Sequence, residues 1–129
     1  MTKNDCIFCK IANKTIPSKI IYEDEMVLAF LDINPIENGH VLIISKKHFD
    51  NFSSMKQEYL NAVMQASLVV INLLKNKLNP DGFNYLSNEN QIAGQVVMHF
   101  HFHIIPRYEK ENKFNKKIAI EEILKILTK

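Results

Sequence analysis

The chain has 129 residues, a length that suits one domain around one core. Apolar residues make up 47% and charged residues 23%, and 16 basic against 14 acidic side chains leave a formal charge of +2. That balance excludes the basic footprint of a nucleic-acid binder, and no apolar run approaches the ~18 residues of a membrane span.

The first block, MTKNDCIFCK, carries charge and lacks the apolar core of a signal peptide, so a cytoplasmic location is expected. It holds both cysteines, Cys6 and Cys9, in C-x-x-C spacing. In a reducing compartment such a pair reads as a metal half-site or a redox couple rather than a structural disulfide. A thioredoxin-type pair follows a strand, and none precedes this one, which favours metal. A structural zinc takes four donors, so histidines or carboxylates must supply the rest. The candidates are His40, His48 and one end of a histidine row further on. Cys6, Cys9, His48 and His99 would make a closed tetrahedral site of two sulfurs and two nitrogens. Two free buried thiols are the plain alternative.

Residues Ile20–Tyr22 and Met26–Asp32 read as short strands around the acidic turn EDE. Asp32 ends the second, where a lone carboxylate could accept both hydroxyls of a ribose or simply cap a turn. NPIENGH is a loop punctuated by Pro35 and Gly39. Val41–Ser45 is an apolar run of strand length. From about Lys56 to Leu78 apolar positions recur at helical spacing, and Asn79, Pro80, Asp81 and Gly82 stop that helix. Phe83–Ser87 reads as a strand, and NENQIAGQ (Asn88 to Gln95) as a polar loop whose Gly94 admits a ligand close to the backbone. Asn88 and Gln95 supply amide donors suited to a phosphate anion. Val96–Ile105 has period-two character and ends at Pro106, and 116–127 reads as a terminal amphipathic helix. Sheet, one long helix, then more sheet gives an α+β domain with a mainly antiparallel sheet.

Within the last strand, HFHFH places three of the chain's five histidines in five positions. Alternation puts His99, His101 and His103 on one face and Phe100, Phe102 and Ile104 on the other, where they anchor the core under the long helix. Each i to i+2 step covers roughly 6.6 Å, so two adjacent histidines can converge on one metal with its ~2.0 Å bonds, but the outer pair stands about 13 Å apart and all three would strain to do so. The row therefore divides its labour.

HFHFHII, with CIFCKI, IPSKIIYEDE, AFLDINP, GHVLIISKKH and GQVVMHFHFHIIPR in that order, resembles the histidine triad (HIT) superfamily, Hint-like branch, over nearly the whole chain. The resemblance implies a homodimer whose two five-stranded antiparallel sheets join across the interface, each subunit with one long and one or two shorter helices. It implies binding of an AMP- or GMP-type purine nucleotide and hydrolysis or transfer at the α-phosphate of phosphoramidates, phosphoanhydrides or mixed anhydrides. By the same likeness His101 is the nucleophile, His103 bonds a phosphate oxygen, and His40 supports the row. Asn88, Gly94, Gln95 and Val96 correspond to phosphate-side positions, Asp32 to the ribose carboxylate, and Ile7, Phe8, Ile11, Phe30, Leu31 and Ile33 to the base pocket. The cysteine-bearing bacterial members hold a structural zinc on positions that match Cys6, Cys9, His48 and His99. One departure stands out: after Gly-Gln the family often has serine, and here Val96 can donate no proton. Two rival readings are a nucleotide-binding adaptor with weak residual catalysis and a zinc enzyme with its metal at the reaction centre.

Overall fold

The computed structural model describes residues 5–129, so the first four residues of the charged N-terminal block lie outside the described residues. Five strands form one sheet: β1 (Ile20–Glu23), β2 (Val27–Leu31), β3 (Val41–Ser45), β4 (Gly82–Leu86) and β5 (His101–Arg107). Their spatial order is β1-β2-β3-β5-β4, and every neighbouring pair is antiparallel. Helix α2 (Gln57–Leu78) is the long one, with α1 (Ile7–Ala12) and α3 (Ile120–Thr128) as the shorter two. This is the expected α+β architecture.

β2 and β3 read VLAFL and VLIIS, and every residue of both is buried. Unbroken apolar runs follow from a sheet covered on both faces. Val27, Ala29, Leu31, Val41 and Ile43 pack with Val63, Ala66, Val70 and Leu74 of α2. Leu28, Phe30, Leu42 and Ile44 pack with Cys6, Phe8 and Ile11 on the opposite side. The register carries this division into β5: Ile44 pairs with His101 and Leu42 with His103, while Ile43 pairs with Phe102 and Val41 with Ile104. His101 and His103 therefore stand on the α1 side of the sheet, away from α2.

Helix α1 is absent from the sequence reading, because six residues are too few to show a helical period. Its start is set by Cys6, whose sulfur accepts the Cys9 N–H at 3.4 Å. Helix α2 ends where Asn79 turns left-handed at φ 48, and Pro80 cannot continue it. Gly39, at φ 83, lets the β2–β3 connection press on that helix end, since a Cβ there would lie 2.6 Å from Leu78 Cδ1. The same connection closes when the Asp32 N–H donates to the His40 carbonyl at 3.0 Å, which sets these two residues side by side.

Three boundaries differ from expectation. β5 begins at His101 and not at Val96, because residues 96–100 bend, and the Phe100 N–H donates to the Phe49 carbonyl at 2.7 Å instead of joining the sheet. Pro106 lies inside β5 instead of ending it. Pairing with β3 stops at Ile104, so the proline sits on a stretch paired with β4 alone, where a missing N–H is tolerated. Helix α3 starts at Ile120 and not at Lys116, since Lys116 and Ala119 are extended.

Candidate active site and metal centre

Each histidine of the row has one ring nitrogen committed to a fixed partner, and the commitments differ. His101 Nδ1–H donates to the His99 carbonyl at 2.8 Å, which leaves Nε2 with a free lone pair. Burial lowers the His101 pKa, opposed by that hydrogen bond and by the Asp32 charge, so the ring is neutral near pH 7. Phe8 packs edge-on against it with ring centroids 5.0 Å apart, and Ser87 Oγ–H donates to its backbone carbonyl at 2.8 Å. The ring is thus packed from the α1 side, and its backbone is held from the residue after β4.

His103 is oriented by a relay. The Ile36 N–H donates to His40 Nδ1 at 3.1 Å, so the proton of neutral His40 must sit on Nε2. That Nε2–H donates to His103 Nδ1 at 3.0 Å, which places the remaining His103 proton on its own Nε2. Burial lowers the pKa of His40 and pushes that of His103 down to about 4, with the neighbouring His101 and His40 charges adding to the second. Asp32 Oδ2 lies 3.6 Å from His40 Nε2, while its Oδ1 accepts the Asn34 N–H at 2.9 Å. The row thus presents one acceptor nitrogen, on His101, beside one donor nitrogen, on His103.

Both rings open onto a groove of about 470 Å3. Of the residues expected to bind nucleotide, Ile7, Phe8, Ile11, Phe30, Leu31, Asp32, Ile33, Asn88, Gly94, Val96, His101 and His103 all line it. The sequence reading missed Ile16, Pro17, Ser18, Asn34, Leu42 and Val97. Leu42 was accessible in principle, since it faces His103 once the strands are in register. Gln95 departs from the expectation of a free amide donor. Its Nε2 donates to the Asp50 and Val97 carbonyls at 2.6 and 3.0 Å, and its Oε1 accepts the Asn90 N–H at 2.7 Å. The side chain is saturated and fastens the loop. The N–H groups of Gly94 and Gln95 are likewise bound, to the Gln91 and Asn90 carbonyls, whereas the Val96 N–H has no partner among the described residues. His40 stands behind the groove and acts on it through His103.

A second constellation lies behind His101. Cys6, Cys9, His48 and His99 bring four donor atoms within 4.8 Å of one another. His99 Nε2–H donates to the Ser45 carbonyl at 2.7 Å, so its Nδ1 lone pair faces Cys6 Sγ at 3.2 Å and Cys9 Sγ at 3.5 Å. His48 Nε2–H donates to Asp50 Oδ1 at 3.0 Å, so its Nδ1 faces Cys9 Sγ at 3.3 Å. Both imidazoles thus have an outer hydrogen bond that turns a lone pair inward, the arrangement of a metal-binding histidine. Two thiols and two such nitrogens fit a tetrahedral thiophilic metal. Asp32, His40 and His103 also cluster within 4.8 Å, but the Nε2–H that Ile36 imposes on His40 points a proton where a metal would need a lone pair. His101 belongs to neither cluster.

The HIT domain family matches residues 13–110. The chain belongs to the HIT domain family. A HIT-like protein of Methanocaldococcus jannaschii is 48% identical over 125 residues, covering 93% of this chain and 96% of that one. An adenosine 5'-monophosphoramidase of Candida albicans is 39% identical, covering 81% of this chain and 72% of its own length. An adenylylsulfatase of Arabidopsis thaliana is 39% identical over 84% of this chain and 55% of its own length. The HIT relatives thus include enzymes that cleave nucleotides. A zinc-bound histidine triad protein of Mycobacterium smegmatis superposes with a TM-score of 0.86 at 30% identity, covering 98% of this chain and 92% of that one.

Proposed function

We propose that this HIT protein is a purine nucleotide-binding hydrolase or nucleotidyl transferase that works through a covalent nucleotidyl-His101 intermediate. The carrying observation is the His101 Nδ1–H bond to the His99 carbonyl, which leaves a neutral Nε2 lone pair at the groove. That nitrogen forms a bond to the α-phosphorus of a phosphoramidate, phosphoanhydride or mixed anhydride. The bond to the leaving group breaks and its electron pair departs with that group. A leaving carboxylate needs no proton, and a leaving amine takes one from water at the open groove mouth. Water then displaces His101, releasing the nucleoside monophosphate and a proton and restoring the neutral ring. Division into two displacements lowers the barrier of each.

The remaining groups fit around that centre. His103 Nε2–H, the Asn88 amide and the Val96 N–H are the donors for phosphoryl oxygens. Asp32 accepts the ribose hydroxyls. The apolar wall of Ile7, Phe8, Ile11, Phe30, Leu31 and Ile33 suits a flat purine. Gly94 keeps the loop backbone open to the phosphate, and Gln95 holds that loop. His40 is a positioning residue that sets the His103 tautomer.

Cys6, Cys9, His48 and His99 would hold a structural zinc, which with four protein donors supplies a cross-link and no open position for substrate. The reduced thiols fit a cytoplasmic setting. We further infer a homodimer joined through β4, one of the two edge strands of the sheet, whose Tyr85 and Leu86 are exposed.

His101→Ala is expected to abolish turnover of a purine nucleoside phosphoramidate while keeping nucleoside monophosphate affinity within about twofold, read by calorimetry. Wild-type turnover in that variant would discard His101 as nucleophile. A second reading, a nucleotide-binding adaptor, draws on Val96, whose side chain offers a leaving group no proton. Tight nucleotide binding without a labelled His101 in a single-turnover experiment would favour it.

A further inference from the structure

The nucleotide groove does not end at the phosphate. A second hollow, of about 400 Å3, is lined by Gln91, Gly94, Gln95, Val96 and Met98. Gly94 and Val96 also line the main groove, so the two spaces meet at the loop that borders His101 and Asn88. In an in-line displacement the leaving group departs on the side of the phosphorus opposite the attacking nitrogen. The loop whose Val96 N–H faces the phosphate end of the groove also lines this hollow, so the hollow adjoins that end.

The surface met there carries no charge. Between Lys77 and Arg107 the chain holds neither lysine nor arginine. Glu89, the loop's one carboxylate, is turned to Ser53, accepting its N–H at 2.9 Å and its hydroxyl at 2.6 Å. The Gln95 amide is already bonded to the Asp50 and Val97 carbonyls and the Asn90 N–H. What is left to meet a substrate is the Val96 side chain, 88% exposed, with Met98 and the neutral Gln91 amide beside it in the hollow. Ile92 on the same loop is 99% exposed. An ionic group placed there would meet no opposite charge, whereas a hydrocarbon would gain contact with Val96 and Met98.

We infer that the hollow beyond Val96 is a leaving-group subsite selective for substrates whose departing amine or acyl group has an uncharged, apolar body. The inference rests on the proposed nucleotidyl-His101 chemistry and adds to it the identity of the group expelled. Val96 is the residue that sets the preference.

Three adenosine phosphoramidates test it, made from hexylamine, hexanediamine and aminohexanoate. Their scissile P–N bonds are the same, and their far ends are a methyl, an ammonium and a carboxylate. The expected result is a kcat/KM for the hexyl compound at least about tenfold above either charged one. In Val96→Asp the hexyl to hexanediamine ratio should fall at least about tenfold, whatever happens to absolute rates. Equal kcat/KM for all three compounds, with His101 labelled by each, would overturn the subsite and leave the nucleophile assignment standing. Failure of all three and of the unsubstituted phosphoramidate, in a protein that still binds AMP, would overturn both.

Discussion

His103 is held as a hydrogen-bond donor only while the relay from Ile36 through His40 stays neutral. Burial, with the His101 and His40 charges adding to it, pushes its pKa down to about 4. In the unfolded chain an imidazole titrates near its ordinary ~6.5, so between these values the unfolded state binds more protons. Stability is therefore undiminished above about 6.5 and falls as pH drops toward the folded value. The urea midpoint of the wild type should fall between about pH 7 and about pH 5, and His103→Asn should show a shallower slope. Identical slopes would remove His103 from the account. The His40 and His103 part of this protonation pattern lay outside the reach of the sequence, whereas a backbone carbonyl fixing the His101 tautomer is what the sequence leads one to expect. The row HFHFH announced three imidazoles on one side, but which nitrogen of each carries a proton depends on the Ile36 N–H and the Ser45 and His99 carbonyls. Gln95 shows the same limit from the other direction: an amide in a polar loop looks available, but its bonds to the Asp50 and Val97 carbonyls leave nothing to donate.

Helix α1 carries two jobs on six residues. Ile7, Phe8 and Ile11 wall the groove, while Cys6 and Cys9 at its first turn face His48 and His99. Helices shorter than ~12 residues are marginal on their own, so this one depends on what pins it. If zinc fills the proposed site, a chelator is expected to lower Tm by several degrees and to weaken AMP binding at least about tenfold, with native mass spectrometry reading one zinc per chain before treatment. An unchanged Tm and affinity would show that packing alone holds α1. The longer elements were legible because their periods are long enough to read: α2 repeats its apolar positions over 22 residues, and β2 and β3 are unbroken apolar runs. Helix α1 and the bend at 96–100 were not, since each is fixed by distant partners. For α1 these are the two histidines, and for the bend the Phe49 carbonyl.

Across the whole molecule the sheet is closed at neither end, and β4 offers its outer edge together with Tyr85 and Leu86, 48% and 38% exposed. An exposed edge strand of this kind invites pairing with a second copy. On α2, Leu68 is 65% exposed, with Met64 and Val69 also exposed. Sedimentation velocity should find a dimer for the wild type and a monomer for Tyr85→Asp, which sets a charge on that edge. A wild-type monomer would refute the joined sheet. No helix among the described residues is long and apolar enough to cross a membrane. The proposed zinc site also imposes an order on biosynthesis. Cys6 and the His99 it meets are 93 residues apart, an interval a ribosome takes on the order of ten seconds to translate. Throughout that delay the two thiols lack the histidines that would complete the proposed site. Such a site can close only once the residues just before β5 have been made.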